Sequence, residues 1–233
     1  MTFFTNYSGV CKTIIDKKQE TSTEVMFSLL TKKWQALFLK KREGLYLSEE
    51  EINKFEQIIL KEIEKDESLL TLQNEIGNNI GMYTALAKLE KVVLKALDNK
   101  EASVQQDVFG LNIRMYAAHA ELEQATLKAL DNQGASLQQD VFGRNIGMHA
   151  ALHRLEKATQ KALENKEANV QQNKYGENIE MYDADCVKLE KDVLKALESK
   201  MASEQKNKDG LKIEDVAKVK GIKTYKSEKE QTL

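Results

Sequence analysis

The sequence contains no proline, one tryptophan, three histidines and two cysteines in its 233 residues. Because proline interrupts helices from within, its absence allows long uninterrupted helical segments. Cys11 and Cys186 lie far apart in unlike surroundings, so we expect no disulfide framework and a reducing, cytoplasmic location. There is no apolar run of about 18 residues and no basic start followed by an apolar run. We therefore predict neither a membrane span nor a secretory signal.

An excess of charge of one sign is also lacking. The 35 Lys and Arg residues nearly balance the 37 Asp and Glu residues, which gives a formal net charge of −2. Proteins that bind nucleic acid neutralise phosphates with a surplus of cations, so we expect no nucleic-acid partner. The content of 41% hydrophobic and 31% charged residues is typical of a soluble helical protein.

What the sequence does contain is an internal repeat. The stretch 103–132 recurs closely at 136–165, more loosely at 169–199, and in part before residue 100. Glycine, asparagine and methionine each return every 33 residues, at Gly77, Gly110, Gly143 and Gly176, at Asn79, Asn112, Asn145 and Asn178, and at Met82, Met115, Met148 and Met181. Such fixed self-similarity indicates an array whose units bury their apolar faces against their neighbours.

This pattern predicts an all-α fold, with an N-terminal helical hairpin followed by four 33-residue helical repeats packed as an antiparallel bundle or short α-solenoid. We place a loosely ordered N-terminus at 1–20, the hairpin at 21–66 and the repeats at 67–203. A polar tail, a short helix and then disorder, is expected at 204–233. The hairpin does not match the repeat and is expected to cap the array, and Ser48 with Glu51 forms a capping box at its second helix.

Within one unit, two apolar stripes run along the sequence, one through Val104 and Val108 and the other through Phe109 and Ile113. Two stripes on one helix predict a single long helix that is buried on both sides. One alternative is a helix–turn–helix unit that is broken at 110–112, where glycine would end one helix and asparagine cap the next. An unbroken rod with an 11-residue period is the other alternative.

The start of each unit has the spacing of a capping box, which would begin the long helix there. The pairs are Ser103 with Gln106, Ser136 with Gln139 and Asn169 with Gln172. The period equals that of ankyrin repeats, but the Thr-Pro-Leu-His signature is absent, as is the tetratricopeptide pattern. The sequence therefore identifies no repeat family.

The histidines are candidate metal ligands. His149 and His153 are four residues apart, Glu156 follows three later, and His119 lies at a similar height in the preceding unit. Closely packed helices could combine them into a mixed His and carboxylate site for a divalent metal. The alternative is that His149 simply takes the core position that tyrosine holds in the other copies, at Tyr83, Tyr116 and Tyr182. No cofactor is predicted.

Two charged rows recur at the repeat period and are candidate partner-binding surfaces, with a solvated edge as the alternative. The acidic row is Glu90, Glu123, Glu156 and Glu190, and the basic row is Lys95, Lys128, Lys161 and Lys195. The recurring asparagines are either a ladder that reads a ligand or helix caps that fix the register between units.

These features favour a non-enzymatic scaffold that binds another protein along the repeat surface, because repeats build long surfaces and no catalytic set converges. A metal-carrying bundle or small enzyme that uses His119, His149 and His153 is one alternative, and a self-associating structural protein is another. The near-identical copies and the polar tail also suggest a bacterial effector or adaptor, exported into a host cell without a classical signal peptide.

Overall fold

A computed structural model describes residues 22–42, 48–132, 134–186 and 204–219. Throughout these ranges the regular structure is helical, as predicted, and no helix there is both long and apolar enough to cross a membrane. The α-helices are α1 (Ser22–Arg42), α2 (Glu49–Lys65), α3 (Ile80–Leu86), α4 (Glu90–Asp98), α5 (Ile113–His119), α6 (Glu123–Leu130), α7 (Ile146–Leu152), α8 (Glu156–Glu164), α9 (Lys166–Val170), α10 (Ile179–Cys186) and α11 (Ile213–Val219). The predicted segment 1–20, Glu190, Lys195 and residues 220–233 lie outside the described residues.

The predicted N-terminal hairpin is formed by α1 and α2. Ser48 caps α2 as expected, since its Oγ accepts from the backbone N–H of Glu51 at 3.2 Å and the Glu51 carboxylate accepts from the N–H of Ser48 at 3.0 Å. Phe27 of α1 shares a buried cluster with Phe55 of α2. Because α1 contacts α3 and α2 contacts α4, the hairpin covers the open end of the first repeat.

Each of the first three repeats contains two short helices after its asparagine, so the prediction of one long helix is wrong. In the second unit, α5 ends at His119 and α6 begins at Glu123. Between them, Glu121 has a φ of 61°, its N–H donates to the carbonyl of Ala118, and the N–H of Leu122 donates to that of Ala117. This is a Schellman C-cap, which reverses the chain and starts the second helix.

The same C-cap recurs at the same place in the neighbouring units. Lys88 and Arg154 also have positive φ values, of 60° and 59°. A non-glycine residue in the left-handed region costs about 1–2 kcal/mol, so glycine is the usual residue at such a turn. Because these turns lack glycine, the sequence pattern does not reveal them. The helix–turn–helix alternative is correct about the asparagine cap, but both helices of a unit follow that cap.

The predicted capping boxes at the start of each unit are not formed. Ser103 lies in a short 3₁₀ helix, where its Oγ donates to the carbonyl of Lys100 at 3.2 Å. The Gln106 amide instead donates to the carbonyls of Gly110 at 2.6 Å and of Gln139, one unit further on, at 3.2 Å. The recurring glutamines Gln106, Gln139 and Gln172 therefore link neighbouring units and do not cap helices.

The units stack in two layers. Helices α3, α5, α7, α10 and α11 contact one another in order, and α4, α6 and α8 form the second layer. Recurrent isoleucines fill the first layer and are at most 2% exposed, at Ile80, Ile113, Ile146, Ile179 and Ile213. Residues 204–219, predicted as a polar tail, thus continue the stack with the turn and first helix of a further unit, and the predicted short helix is α11.

Candidate binding surface

A tight turn projects from each unit just before its first helix, and an Asp or Asn side chain organises it. In the second unit, Asp107 Oδ1 accepts from the backbone N–H groups of Phe109 at 2.8 Å and Leu111 at 2.9 Å. The N–H of Gly110 donates to the carbonyl of Asp107 at 2.9 Å, with Gly110 at a φ of 72°. Asn74, Asp140, Asn173 and Asn207 make the same contacts in the other units.

Successive turns are joined by backbone hydrogen bonds, so their tips form a continuous edge. The N–H of Val141 donates to the carbonyl of Phe109 at 2.9 Å, and the N–H of Lys174 donates to that of Phe142 at 2.8 Å. A Cβ on Gly110 would lie 3.0 Å from the backbone nitrogen of Val141. The glycine row therefore serves a close approach between units in addition to its left-handed conformation.

Large apolar side chains stand exposed along this edge. Phe109 is 51% exposed and Tyr175 is 57% exposed, although both follow a buried Asp or Asn by two residues. We define the tip row as Val108, Phe109, Val141, Phe142 and Tyr175. The prediction that Val108 and Phe109 belong to buried stripes is wrong, because the turn points them away from the helices. The Asp-x-x-Gly pattern was the available signal of a turn.

The Tyr and His row belongs to the core and anchors these turns. Tyr116 donates through its hydroxyl to Asp107 Oδ2 at 2.7 Å, and His149 Nε2 lies 3.2 Å from Asp140 Oδ2. Burial raises the pKa of Asp140, but hydrogen bonds from His149 and Arg144 outweigh it and lower the pKa to about 2. His149 thus replaces tyrosine in the core, as the alternative interpretation held.

The predicted metal ligands are not brought together as one set. The rings of His119 and His153 meet edge to face, with centroids 4.5 Å apart, whereas His149 points to Asp140. Glu156 begins α8 on the exposed side. In the part of the chain that the structure describes, no three His, Cys, Asp or Glu side chains group as metal ligands.

The acidic row caps helices of the following unit. Glu90 Oε1 accepts from the backbone N–H of Ala125 in α6 at 3.2 Å, and Glu123 Oε1 accepts from that of Lys157 in α8 at 3.2 Å. Buried Glu56 of α2 begins the series, since it accepts from the N–H of Lys91 in α4 at 3.0 Å. These carboxylates satisfy free N–H groups at the positive ends of α4, α6 and α8. Glu90 and Glu123 of the row are therefore engaged within the stack, whereas Glu156 is exposed.

Two lysines of the basic row donate hydrogen bonds to carbonyls near the C-terminal ends of helices in the preceding unit. Lys128 Nζ donates to the carbonyl of Leu94 at 3.0 Å and to Asp98 Oδ1 at 2.7 Å. Lys161 donates likewise to the carbonyl of Leu127 and pairs with Asp131. The candidate partner-binding lysines 128 and 161 therefore hold the units together.

The asparagine row combines a helix cap with a link between units. Asn145 Oδ1 accepts from the N–H of Met148 at 3.0 Å, while its Nδ2 donates to the carbonyl of Ala168 at 3.0 Å and to Gln171 Oε1 at 2.9 Å. Gln171 in turn donates to the carbonyl of Leu137 at 3.0 Å. Asn79, Asn112 and Asn178 repeat the cap. The interpretation as register-fixing caps is confirmed, and every amide of the row is engaged.

No protein-family model matches this chain, and neither does any curated protein sequence. Many solved structures are similar to it, and two of them are described below. The ankyrin repeat protein EF0377 has a TM-score of 0.58 and 18% identity over 74% of this chain and 90% of its own. A chain of the predatory endopeptidase Bd0816 from Bdellovibrio bacteriovorus in complex with the immunity protein Bd3460 has a TM-score of 0.51 and 21% identity, over 70% and 85%. At these identities the similarity shows the fold, a stack of helical repeats similar to that of an ankyrin repeat protein.

Proposed function

We propose that this protein is a non-enzymatic module that binds another protein through the tip row. The observation that carries the proposal is the exposure of Phe109, Phe142 and Tyr175 at successive 33-residue steps. Single exposed apolar residues are common, but a contiguous row on a rigid edge is typical of an interaction site. Aromatic side chains also supply much of the binding free energy in protein interfaces.

The rigidity of the edge supports the same proposal. The tips are held by backbone hydrogen bonds between units, and Glu90, Glu123, Lys128 and Lys161 of the charged rows are engaged at helix ends. A preorganised apolar edge loses little conformational entropy when it binds. One of the similar structures is a complex between an endopeptidase and an immunity protein, which is in keeping with a protein partner.

Affinity capture with matched variants tests the proposal. We expect the wild-type chain to recover a stoichiometric partner from a native-like lysate and the triple variant Phe109→Ser, Phe142→Ser, Tyr175→Ser to lose it. Leu29→Ser is the control, because Leu29 is 56% exposed on α1, away from the tips. Circular dichroism should show both variants folded. Equal recovery by the triple variant would contradict the proposal, and so would a chain that pairs only with itself in light scattering.

The proposed compartment has a separate basis. Export as an effector or adaptor is suggested by the polar, lysine-bearing sequence 226–233, which lies outside the described residues. Deletion of that segment should abolish export while leaving partner capture intact. Unimpaired export of the truncated chain would show that this segment is not the export signal, whereas retention of the full chain in the cell would favour the cytoplasmic alternative.

A further inference from the structure

At one position of the repeat, the second unit carries a buried arginine where the first and third units carry glycine. Counting in 33-residue steps, Arg114 corresponds to Gly81, Gly147 and Glu180. Arg114 is only 3% exposed. At Gly81, an added Cβ would lie 2.6 Å from the Cδ1 of Ile113, so the units close tightly there. The second unit instead accommodates a whole guanidinium group.

The guanidinium is held by neutral acceptors alone. Arg114 Nη2 donates to Ser103 Oγ at 3.1 Å and Nη1 donates to Gln138 Oε1 at 3.2 Å. Across the described residues Arg114 forms no ion pair. Burial lowers the pKa of Arg114 to about 10, which leaves it charged at neutral pH. A buried charge without a counterion is costly. Packing alone therefore does not explain why an arginine occupies this position.

A cavity of about 840 Å³ opens beside this side chain, between the ends of α4 and α6. Arg114 and Lys100 supply positive charge to its lining, and Leu97 and Val104 supply apolar surface. The aspartates of the lining are already paired, Asp98 with Lys128 and Asp131 with Lys161. Lys100 is exposed to solvent, so the guanidinium of Arg114 is the buried positive charge of the lining that lacks an ion-pair partner among the described residues.

We propose that this cavity binds a carboxylate that is attached to an apolar group, with Arg114 as its counterion. A monoanion matches the single buried guanidinium, since Lys100 is solvated, and the nearby aspartates oppose a dianion such as phosphate. The apolar wall of Leu97 and Val104 receives the hydrocarbon part. The carboxylate belongs either to a free organic acid or to the C-terminus of a peptide. The site is separate from the tip row and does not depend on the function proposed for it.

Titration of the full chain followed by ¹H–¹⁵N NMR tests the site, with hexanoate as the probe. We expect a saturable shift of the Arg114 side-chain N–H and the Ser103 amide, and none with hexanol or inorganic phosphate. An apolar tripeptide with a free C-terminus, compared with its amide, distinguishes the two sources of carboxylate. Absence of saturation with both hexanoate and the tripeptide would overturn the proposal, as would equal binding of phosphate or hexanol.

Variants locate the binding. Arg114→Met should weaken hexanoate binding about ten-fold or more, because charge-assisted hydrogen bonds are the strong ones. Arg154→Met is the matched control, since it removes the same charge from an exposed position and should leave the affinity unchanged. Val104→Asp adds a carboxylate at an exposed place on the wall and should also abolish binding, even if Arg114→Met does not fold. Equal weakening by Arg114→Met and Arg154→Met, or full affinity in Val104→Asp, would overturn the proposal.

Discussion

The Glu90 carboxylate accepts a hydrogen bond at 3.2 Å from the backbone N–H of Ala125, 35 residues further along the chain. A helix cap is normally supplied from within the same segment, whereas here each unit caps the next one. Stability is thereby shared between neighbours, as in other stacked arrays.

Glu90→Ala is expected to lower the free energy of unfolding by about 1 kcal/mol, because it removes a cap and a favourable charge at the helix N-terminus. Glu90→Gln should lose roughly half as much, since it keeps an acceptor. Urea denaturation measures both. Glu64→Ala, an exposed change on α2, is the control and should have little effect. Equal stability of the Glu90→Ala and Glu64→Ala variants would refute a capping role.

Asn145 is expected to tolerate no substitution. Asn145→Ala should cost about 2–4 kcal/mol, because it removes a cap, takes one of two donors from the carbonyl of Ala168 and leaves Gln171 Oε1 without its Asn145 donor. Asn145→Asp should also destabilise the protein, although aspartate is a good cap. Its carboxylate would face the carbonyl of Ala168 and Gln171 Oε1, and all of these oxygens are acceptors. Thermal unfolding compares them with Asn53→Ala on the exposed side of α2. A stable Asn145→Asp variant would show that the link between units contributes little.

Part of this architecture could be predicted from the sequence. The period, the helical class and the role of the asparagines follow from residue identity, since Asn is a strong N-cap. The break at Glu121 could not be predicted, because Schellman turns usually contain glycine and the apolar stripes continue past Glu121. The exposure of Phe109 was also missed, because hydrophobic pattern was given more weight than the turn that follows Asp107.

Arg154→Gly is expected to stabilise the protein by about 0.5–1 kcal/mol, because glycine has no penalty at the positive φ of this residue. Gly143→Ala should have the opposite effect. Gly143 has a φ of 79°, and an added Cβ would lie 3.1 Å from the backbone of Asn173. Calorimetry of the two variants gives the comparison. A lower melting temperature for Arg154→Gly would mean that its side chain makes a stabilising contact.

His153 is expected to weaken the fold in acid. Burial, with the charges of His119 and His149, lowers the pKa of His153 from 6.5 to about 4, and nearby Glu121 only partly opposes this. The unfolded chain therefore binds the proton first, and stability falls as the pH drops from 6.5 toward 4. Allowing for partial exposure, the loss is roughly 2 kcal/mol. His153→Gln should reduce this loss in urea titrations at each pH, and an unchanged pH profile would refute it.

Glu180 is expected to act in the opposite direction. Burial raises its pKa to about 7, with Asp183 adding to the rise and a hydrogen bond from Asn169 opposing it. The folded state therefore holds the proton longer than the unfolded chain, and stability falls as the pH rises from 4.5 through 7. Glu180→Gln should remove this dependence and gain roughly 3 kcal/mol at pH 8, with little change near pH 4.

The two pH effects overlap between pH 4.5 and 6.5. A double variant removes both groups and leaves the pH dependence that comes from the rest of the chain. His153→Gln combined with Glu180→Gln should give a flatter stability profile in that window than either single variant, because opposite slopes are removed together. The sites are in different units, so their effects should add. A single Glu180→Gln variant that is no more stable than the wild type at pH 8 would show that the fold does not disfavour the charged carboxylate of Glu180.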